Sequence, residues 1–569
     1  MQDLNEQIAF VVSAVPRLLR QMDHDPLSPT WGSAHLAYWR DKTSELSDMR
    51  RQEAMLPLAL LYTRDYPGSS WRDDPRLLEA VEALLRFWCD HQYPDGSMDE
   101  WYKGERAFAA SAFSCHAVAR TLHLLEGRLA PASRQRAREK LAATARWLTG
   151  RDDLFKTNHQ AVGVAALAWA GAVLDDAAFT RNAREKLHAI IRVQTPEGWF
   201  PEVGHMDVGY TFLTVEFVAM AMALWQDWSA SAPFVRAFDF ACEWVHPDLT
   251  IGEEYGVCHN PYLSRIAILL MADRSGRAAG LAERLQRESV GFQGFTNTLG
   301  DDLRLPRWAF QPLLAHDYRH AMGTERAPVE VIPLAVTDGG SRVRFFPGAG
   351  LARFVSGQGS GVFAPVAGGL LRLFAPGCGG VVTDCGYAIA LERGGYATNL
   401  TYDRKLAGVV EEGNRMRVAC PMPRVRKFMP SLAARLVLRL ACSTRIGSRL
   451  ARRGIDWIRR RKGSALNQSS ANLGGRKAAW QLERELRVET GEIRTVDRLV
   501  FAWPVATGRI LFVTSAGGEG WPRTSPLTEH VSGLPERLTG LVLEKIYRLG
   551  AEGWHMTHLV VRPGAAAEG

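Results

Sequence analysis

Thr157-Asn158-His159-Gln160 opens an apolar stretch that runs to Leu174. It lies midway between two turns of one design, Tyr93-Pro94-Asp95-Gly96-Ser97 and Thr195-Pro196-Glu197-Gly198-Trp199. The prolines of the two turns are 102 residues apart. Each turn separates two stretches whose apolar residues recur at helical spacing. This predicts a helical hairpin repeating about every fifty residues, the unit of an α-helical toroid or solenoid. A ring of hairpins has an open end made of connecting loops, which is where sites are usually carried. The second turn runs on into Phe200-Pro201-Glu202-Val203-Gly204-His205-Met206-Asp207-Val208-Gly209-Tyr210, a dense set of ionisable and aromatic groups.

With 569 residues the chain is too long for a single core, and two or three domains are expected. Its 46% hydrophobic and 23% charged residues are those of an ordinary globular protein. Met1-Gln2-Asp3-Leu4-Asn5-Glu6 carries no basic head before an apolar run, so no secretory signal is expected. The apolar part of the central stretch, residues 161–174, is too short to span a bilayer and reads as a buried helix. Eight cysteines are scattered with no Cys-x-x-Cys pair. That argues against a disulfide framework or a zinc ribbon and suggests reduced thiols in the cytoplasm. The net charge of +8 is local: residues 415–462 hold 15 Arg and Lys against Asp456 alone, or +14, leaving about −6 for the rest.

Helical patterning covers residues 4–288, with expected helices at 75–88, 106–125, 133–148, 162–174, 177–193, 210–225 and 261–271. The expected toroid domain is 1–290. A connector would follow at 291–325, with Leu305-Pro306-Arg307-Trp308 as its hinge. A β-domain would fill 326–569. Strands are expected at 329–336, 343–346, 352–355, 361–363, 370–374, 380–383, 481–489, 492–501, 509–514, 539–548 and 557–562, in a long antiparallel sandwich. Within it, residues 431–462 interleave Leu432, Leu436, Leu440, Ile446, Leu450, Ile455 and Ile458 with arginines, predicting one or two inserted basic amphipathic helices.

The candidate chemistry lies at the open end of the toroid. His159 and Tyr210 are 51 residues apart, one repeat, so adjacent hairpins can present both to one cleft. Asn158 can donate an amide hydrogen bond to a carboxylate or enolate oxygen, and His159 can exchange a proton. Tyr210 can serve as acid or base where cationic neighbours lower its pKa. Glu202, His205 and Asp207 share one loop, and Glu254 and His259 fall on the next, one repeat on. Each also has a structural reading. Asn158 stands where a helix cap would, an isolated histidine is usually a satisfied core residue, and Tyr210 can simply pack. The joint spacing of Asn-His and Gly-Tyr favours function. Metal ligation is weak, since His205-x-Asp207 and Cys258-His259 supply too few ligands. The sequence has no dinucleotide fingerprint, phosphate loop or nucleophile elbow.

A helical toroid before an antiparallel sandwich, with Thr157-Asn158-His159-Gln160 and then Gly209-Tyr210, resembles the heparinase II/III-like family of polysaccharide lyases. The resemblance covers nearly the whole layout through short motifs. It implies that Asn158 and His159 neutralise a uronate carboxylate, acidifying the C5 proton, and that Tyr210 is the acid or base. Gly380-Val381-Val382-Thr383-Asp384-Cys385-Gly386-Tyr387 resembles the family's strand ending in an Asp-x-Gly turn. The family also places a histidine on the sandwich before that strand. This chain has none between His320 and His530, and residues 364–370 offer no acid, base or imidazole. Either a toroid residue (His159, His205 or Tyr210) takes the proton, or a glycan-binding shell remains.

The expected protein is therefore an (α/α) toroid followed by a β-sandwich. It would act as a lyase on a uronic-acid-containing acidic polysaccharide by C5 proton abstraction and β-elimination. His159, Tyr210 and His205 are the catalytic candidates, and Asn158, Glu202, Asp207, Glu254 and His259 the substrate-binding ones. No metal, cofactor or nucleic-acid partner is expected. The alternatives are a non-catalytic glycan-binding or assembly protein in polysaccharide biosynthesis, a C5-epimerase, and a toroid-type glycoside hydrolase using Asp95, Glu202 or Asp207. The basic insertion, about 415–463, predicts peripheral membrane contact for a cytoplasmic protein.

Overall fold

The computed structural model describes residues 2–288, 300–321, 340–375, 381–392, 394–400, 409–425, 431–462, 480–516 and 522–564. Its first half is a double ring of helices. Six inner helices are Met55–Thr63, Phe108–Leu124, Thr157–Leu174, Val208–Trp225, Arg265–Met271 and Phe310–Ala321. Each packs on the next, and the last returns to the first, so the ring closes. The longer inner helices, such as Thr157–Leu174 and Val208–Trp225, are apolar all round and buried on nearly every face. That is the pattern of a helix with neighbours on all sides. Outside them lie Gln2–Arg20, Pro75–Asp90, Pro131–Thr149, Ala177–Arg192, Ala232–Cys242 and Gly276–Arg287, several of them strongly amphipathic. Helix starts carry the expected caps: Asp74 accepts from Arg76 N–H, Asp176 from Ala178 N–H and Ser264 from Ala267 N–H.

The two turns that announced the repeat do the same mechanical job. Gly96 and Gly198 have positive φ (89° and 102°), and each turn lies against the backbone of the following outer helix. A Cβ on Gly96 would stand 2.2 Å from the carbonyl oxygen of Ala143, so no larger residue fits. Gln92 and Gln194 repeat as well, donating to the carbonyls of Lys140 (2.7 Å) and Pro233 (2.6 Å).

The stretch expected to be a hinge is not one. Leu305–Trp308 is a helical turn with Leu305, Pro306 and Arg307 buried. Arg307 pairs with Asp48 (2.5 Å) and Glu100 (3.3 Å). Phe310–Ala321 then supplies the sixth inner helix, so the ring extends through residues assigned from sequence to a connector. The sequence misled here because a Leu-Pro-Arg-Trp step reads as a break, whereas proline in the first helical turn loses no hydrogen bond.

Two antiparallel sheets form the second half. One runs in the order Ser341–Phe346, Leu351–Ser356, Gly359–Ala364, Leu370–Phe374, Val381–Ala390, Ile510–Ala516 and Pro522–Pro526, with Tyr396–Thr398 and Arg424–Val425 attached. The other runs Gly553–Pro563, Arg537–Gly550, Glu492–Ala506, Trp480–Glu489, Arg415–Pro421 and Val410–Glu412. Gly491, with φ 74°, turns the expected hairpin and pairs Glu489 with Glu492. The strand expected at 329–336 lies outside the described residues.

Between the sheets sits a buried ion cluster. Arg484 donates to both carboxylate oxygens of Asp497 (2.7 Å each) and to Asp384 (3.0 Å), while Lys545 pairs with Asp497 (2.7 Å) and Asp384. Two cations and two anions cancel, which is how such burial is tolerated. The Asp-x-Gly motif is corrected in form. Asp384-Cys385-Gly386 is a bulge inside Val381–Ala390, where Asp384 accepts from Gly386 N–H (2.9 Å), and the strand does not end there. The basic insertion is a pair of helices, Leu432–Cys442 and Arg445–Lys462.

Candidate functional site

Asn158 and His159 sit in the first turn of the Thr157–Leu174 helix, against the segment 201–205. Lys156 bridges Glu202 in a short antiparallel contact. Asn158 does not cap its helix. Its amide donates to Glu202 Oε2 (2.5 Å), and both groups are buried. Burial pushes the Glu202 carboxyl up to about 8 despite Lys156 and the Asn158 amide, so it is a neutral acid at pH 7 and able to donate.

His159 Nδ1 lies 2.9 Å from Asp153 Oδ2. Burial and the Lys156 charge lower the imidazole pKa, while against its own burial the His159 hydrogen bond holds Asp153 below the usual carboxylate range. Assigning the Nδ1 proton from that contact leaves Nε2 as the acceptor, the tautomer of a base oriented by a carboxylate. His159 lines a cleft of about 290 Å3 together with Glu100, Trp101, Arg151, Asp153 and Lys156. Trp101 is 58% exposed at its edge, a flat apolar face for a sugar ring.

Tyr210 is half-buried at the start of the next inner helix. Its pKa runs opposite to the cation-lowered value considered from sequence. Burial, then the charges of Cys258, Glu202 and Asp207, raise it well above 10, against the opposing charge of Arg50. The phenol is therefore a proton donor at neutral pH. Arg50 was not foreseen. Its Nε donates to Glu53 (2.8 Å), its guanidinium stacks 3.6 Å over Phe113, and its buried Nη2 has no partner among the described residues. Phe113 in turn meets the edge of His159, with centroids 6.4 Å apart.

The other candidates have structural contacts. Asp207, expected on substrate, is fully buried and caps the Val208–Trp225 helix. Its Oδ1 accepts from Tyr210 N–H (3.0 Å) and its Oδ2 from Cys258 N–H (2.8 Å). Burial pushes it up to about 7 against those donors. It thus aims Tyr210 and holds the 256–262 loop. Gly209 permits the same approach, since a Cβ there would stand 2.0 Å from Asn260 O. Glu254, also expected on substrate, accepts from Arg372 of the sandwich (2.6 Å) and works as an interdomain contact. His205 stacks on Trp199, with centroids 6.0 Å apart. His259, on the 256–262 loop, has a left-handed φ of 52° and an imidazole pKa lowered by burial. Asp95 is held by Ser97 (2.6 Å) and Arg106.

Glu197 of the second turn accepts the backbone N–H groups of Gly348 (2.7 Å) and Ala349 (2.9 Å), fastening the sandwich to the toroid. Where the family histidine was expected, Pro365–Ala367 makes a buried turn against Glu253–Tyr255. Among the described residues no group of three or more His, Cys, Asp or Glu could hold a metal ion.

Residues 40–203 match the family model described as ulvan lyase N-terminal domain. Among solved structures, a xanthan lyase from Paenibacillus aligns over 97% of this chain at 11% identity with a TM-score of 0.53. A chondroitin AC lyase from Streptomyces coelicolor A3, solved in complex with chondroitin sulphate, aligns over 90% at 12% identity, also with a TM-score of 0.53. The chain spans about half the length of the first of these and 68% of the second. No curated protein matches it. At these identities the structures establish the shared fold of helical toroid and β-sandwich. With the matched family model, they are consistent with the heparinase-like polysaccharide lyase family that the motifs suggested.

Proposed function

We propose that this relative of the polysaccharide lyases cleaves a uronic-acid-containing acidic polysaccharide by β-elimination at the open end of its toroid. The observation that carries the reading is the pairing at one helix start. Asn158 is tied to a neutral Glu202, and His159 to a charged Asp153, on consecutive residues. An uncharged carboxyl beside an amide can donate into a uronate carboxylate, withdrawing charge from it and acidifying C5–H. Arg50, with an unpaired buried N–H, supplies a cation to the same region. Lys156 and Arg151 stand in the cleft among Glu100, Glu105, Asp152 and Asp153, and are the lining cations that would meet an acidic chain there.

In this scheme His159 Nε2 accepts the C5 proton, and the electrons released form the C4–C5 double bond. The bond from C4 to the glycosidic oxygen breaks, and Tyr210 donates its proton to that oxygen. The imidazolium and phenolate are then reset by proton exchange with solvent. Asp153 stabilises the imidazolium without taking its proton. Preorganised donors at the carboxylate would be the largest contribution. The test is incubation with a panel of uronic-acid polymers, watching for the ultraviolet absorbance of an unsaturated uronate in the parent and its loss in His159→Ala. Incorporation of solvent oxygen without unsaturation would replace this reading with the hydrolase. C5 hydrogen exchange without cleavage would replace it with the epimerase. One observation favours a non-catalytic glycan-binding protein: the sandwich turn Pro365–Ala367 presents no ionisable group. Polymer binding without turnover on every substrate would establish that alternative.

A further inference from the structure

The helical hairpin inserted in the sandwich takes no part in the site just described, and its surface is unlike the rest of the molecule. Between residues 431 and 462 it carries ten Arg and Lys against one acid, Asp456. It also exposes large apolar side chains in rows. Leu432, Leu436 and Leu440 recur every fourth residue on the first helix and are 74%, 47% and 73% exposed. Ile446, Leu450 and Trp457 share a face of the second and are 72%, 62% and 56% exposed. Isolated exposed leucines need no explanation, but an exposed apolar row on each of two packed helices is apolar surface of the kind that marks an interaction site.

The hairpin is anchored, so the patch is presented in a defined place. Arg439 pairs with Glu45 of the toroid (2.5 Å). Ser448 donates to Lys103 O (3.4 Å) and fits closely over Gly104. The loop beneath it supplies Glu100, Trp101 and Tyr102 to the cleft. Thus a sandwich insertion reaches over the ring and ends at the cleft rim.

We propose that this hairpin docks the protein on an anionic lipid bilayer, lying in the interface and holding the cleft beside the membrane. Arginines next to an aliphatic and tryptophan face suit that boundary, with the apolar rows entering the acyl region and guanidinium groups meeting anionic headgroups. The helices, of 11 and 18 residues, are too short or too basic to span. Among the described residues the one helix long and apolar enough to cross a membrane, Val208–Trp225, is an inner helix of the ring and largely buried. A second copy of the chain is a poor occupant, because it would bring a like-charged hairpin against this one. A soluble polyanion would use the arginines and leave the apolar rows in water.

The experiment is co-sedimentation of the full chain with vesicles of phosphatidylcholine alone or with about 30% phosphatidylglycerol, at low and high salt. Two triple variants accompany it, Leu432→Ser/Leu436→Ser/Leu440→Ser and Arg435→Gln/Arg449→Gln/Arg453→Gln. These apolar side chains are exposed, so parent-like melting temperatures are expected of the serine variant. The parent should bind the anionic vesicles at least about tenfold more tightly than neutral ones, with salt weakening the binding. Each variant should lose about tenfold or more. The proposal is overturned if the parent ignores anionic vesicles, or if the serine variant binds them like the parent. It is overturned equally by arginine-dependent binding to polygalacturonate without vesicle binding, or by a dimer that the serine variant dissolves while vesicle binding is absent. No substrate enters the assay, so its outcome is independent of the lyase reading.

Discussion

Replacing Glu202 with glutamine separates its proton from its shape. Burial pushes this carboxyl up to about 8, whereas in the unfolded chain it titrates near 4.5. The folded state therefore holds a proton that the unfolded state has released, and the parent loses stability as pH rises through that window. Below it the contribution is fully present, and above about 8 the loss is complete. Each pH unit of difference is worth about 1.4 kcal/mol, so the loss is on the order of 3–5 kcal/mol across the window. Glutamine is nearly isosteric with the neutral acid and can still accept the Asn158 hydrogen bond. It should match the parent near pH 5 and exceed it by roughly that amount at pH 9. Glu53, Asp207 and Glu216, which burial also raises to about 7, are common to both proteins and cancel in the difference. Denaturant unfolding of the two proteins at pH 5, 7 and 9 measures it. A parent–variant gap that stays constant over this range would falsify the assignment of a proton to Glu202. The same proton should set an upper limb near pH 8 in kcat/KM, and glutamine should remove it.

Tyr210→Phe deletes only the proton donor and should lower kcat by about 10²- to 10⁴-fold with an unchanged melting curve; full activity on a polymer the parent cleaves would sink the acid role. His159→Ala should cost a similar factor, while Asp153→Asn should disturb the histidine's tautomer and shift the acidic limb of the pH–rate profile. Arg484→Met leaves two carboxylates buried with Lys545 alone and should destabilise the sandwich by about 3–5 kcal/mol, seen as a separate early transition in calorimetry. Gly209→Ala drives a Cβ to within 2.0 Å of Asn260 O. The 256–262 loop must move, and turnover should fall more than stability.

The ring was legible because its repeat is enforced by backbone geometry. A Pro-x-Gly turn that packs a glycine on the next helix can vary little, so Gly96 and Gly198 announce the period. Strands such as Leu370–Phe374 and the hairpin at Gly491 were legible from alternation and turn chemistry. Half of the candidate site was not. Arg50 lies in a short 3-10 turn more than a hundred residues before His159, and nothing local distinguishes a buried arginine with a free N–H from a surface one. Asp153 sits in a run, Gly150-Arg151-Asp152-Asp153, that reads as an ordinary solvated turn. Asp207 and Glu254 show the opposite difficulty. Each has the residue type and loop position of a site carboxylate, but one is consumed by backbone N–H groups and the other by Arg372. Only tertiary contacts separate those roles.

The missing sandwich histidine then takes on a specific meaning under the proposed chemistry. Elimination needs one base for C5–H and one acid for the leaving oxygen, and neither has to come from the sandwich. The Asp153–His159 pair can supply the first, since its carboxylate fixes the Nδ1 proton and leaves Nε2 free to accept. Tyr210 can supply the second, because burial and nearby carboxyls keep it protonated. With both groups on neighbouring inner helices, the work left for the sandwich is mechanical. Glu197 clamps it to the toroid through Gly348 and Ala349, and Arg372 braces Glu254 across the same junction. Loosening that junction should therefore affect binding of a long polymer before it affects the proton transfers. Glu197→Gln is the direct probe: KM for polymer is expected to rise while kcat stays near the parent value. A fall in kcat with KM unchanged would mean that the sandwich shapes the reacting centre itself.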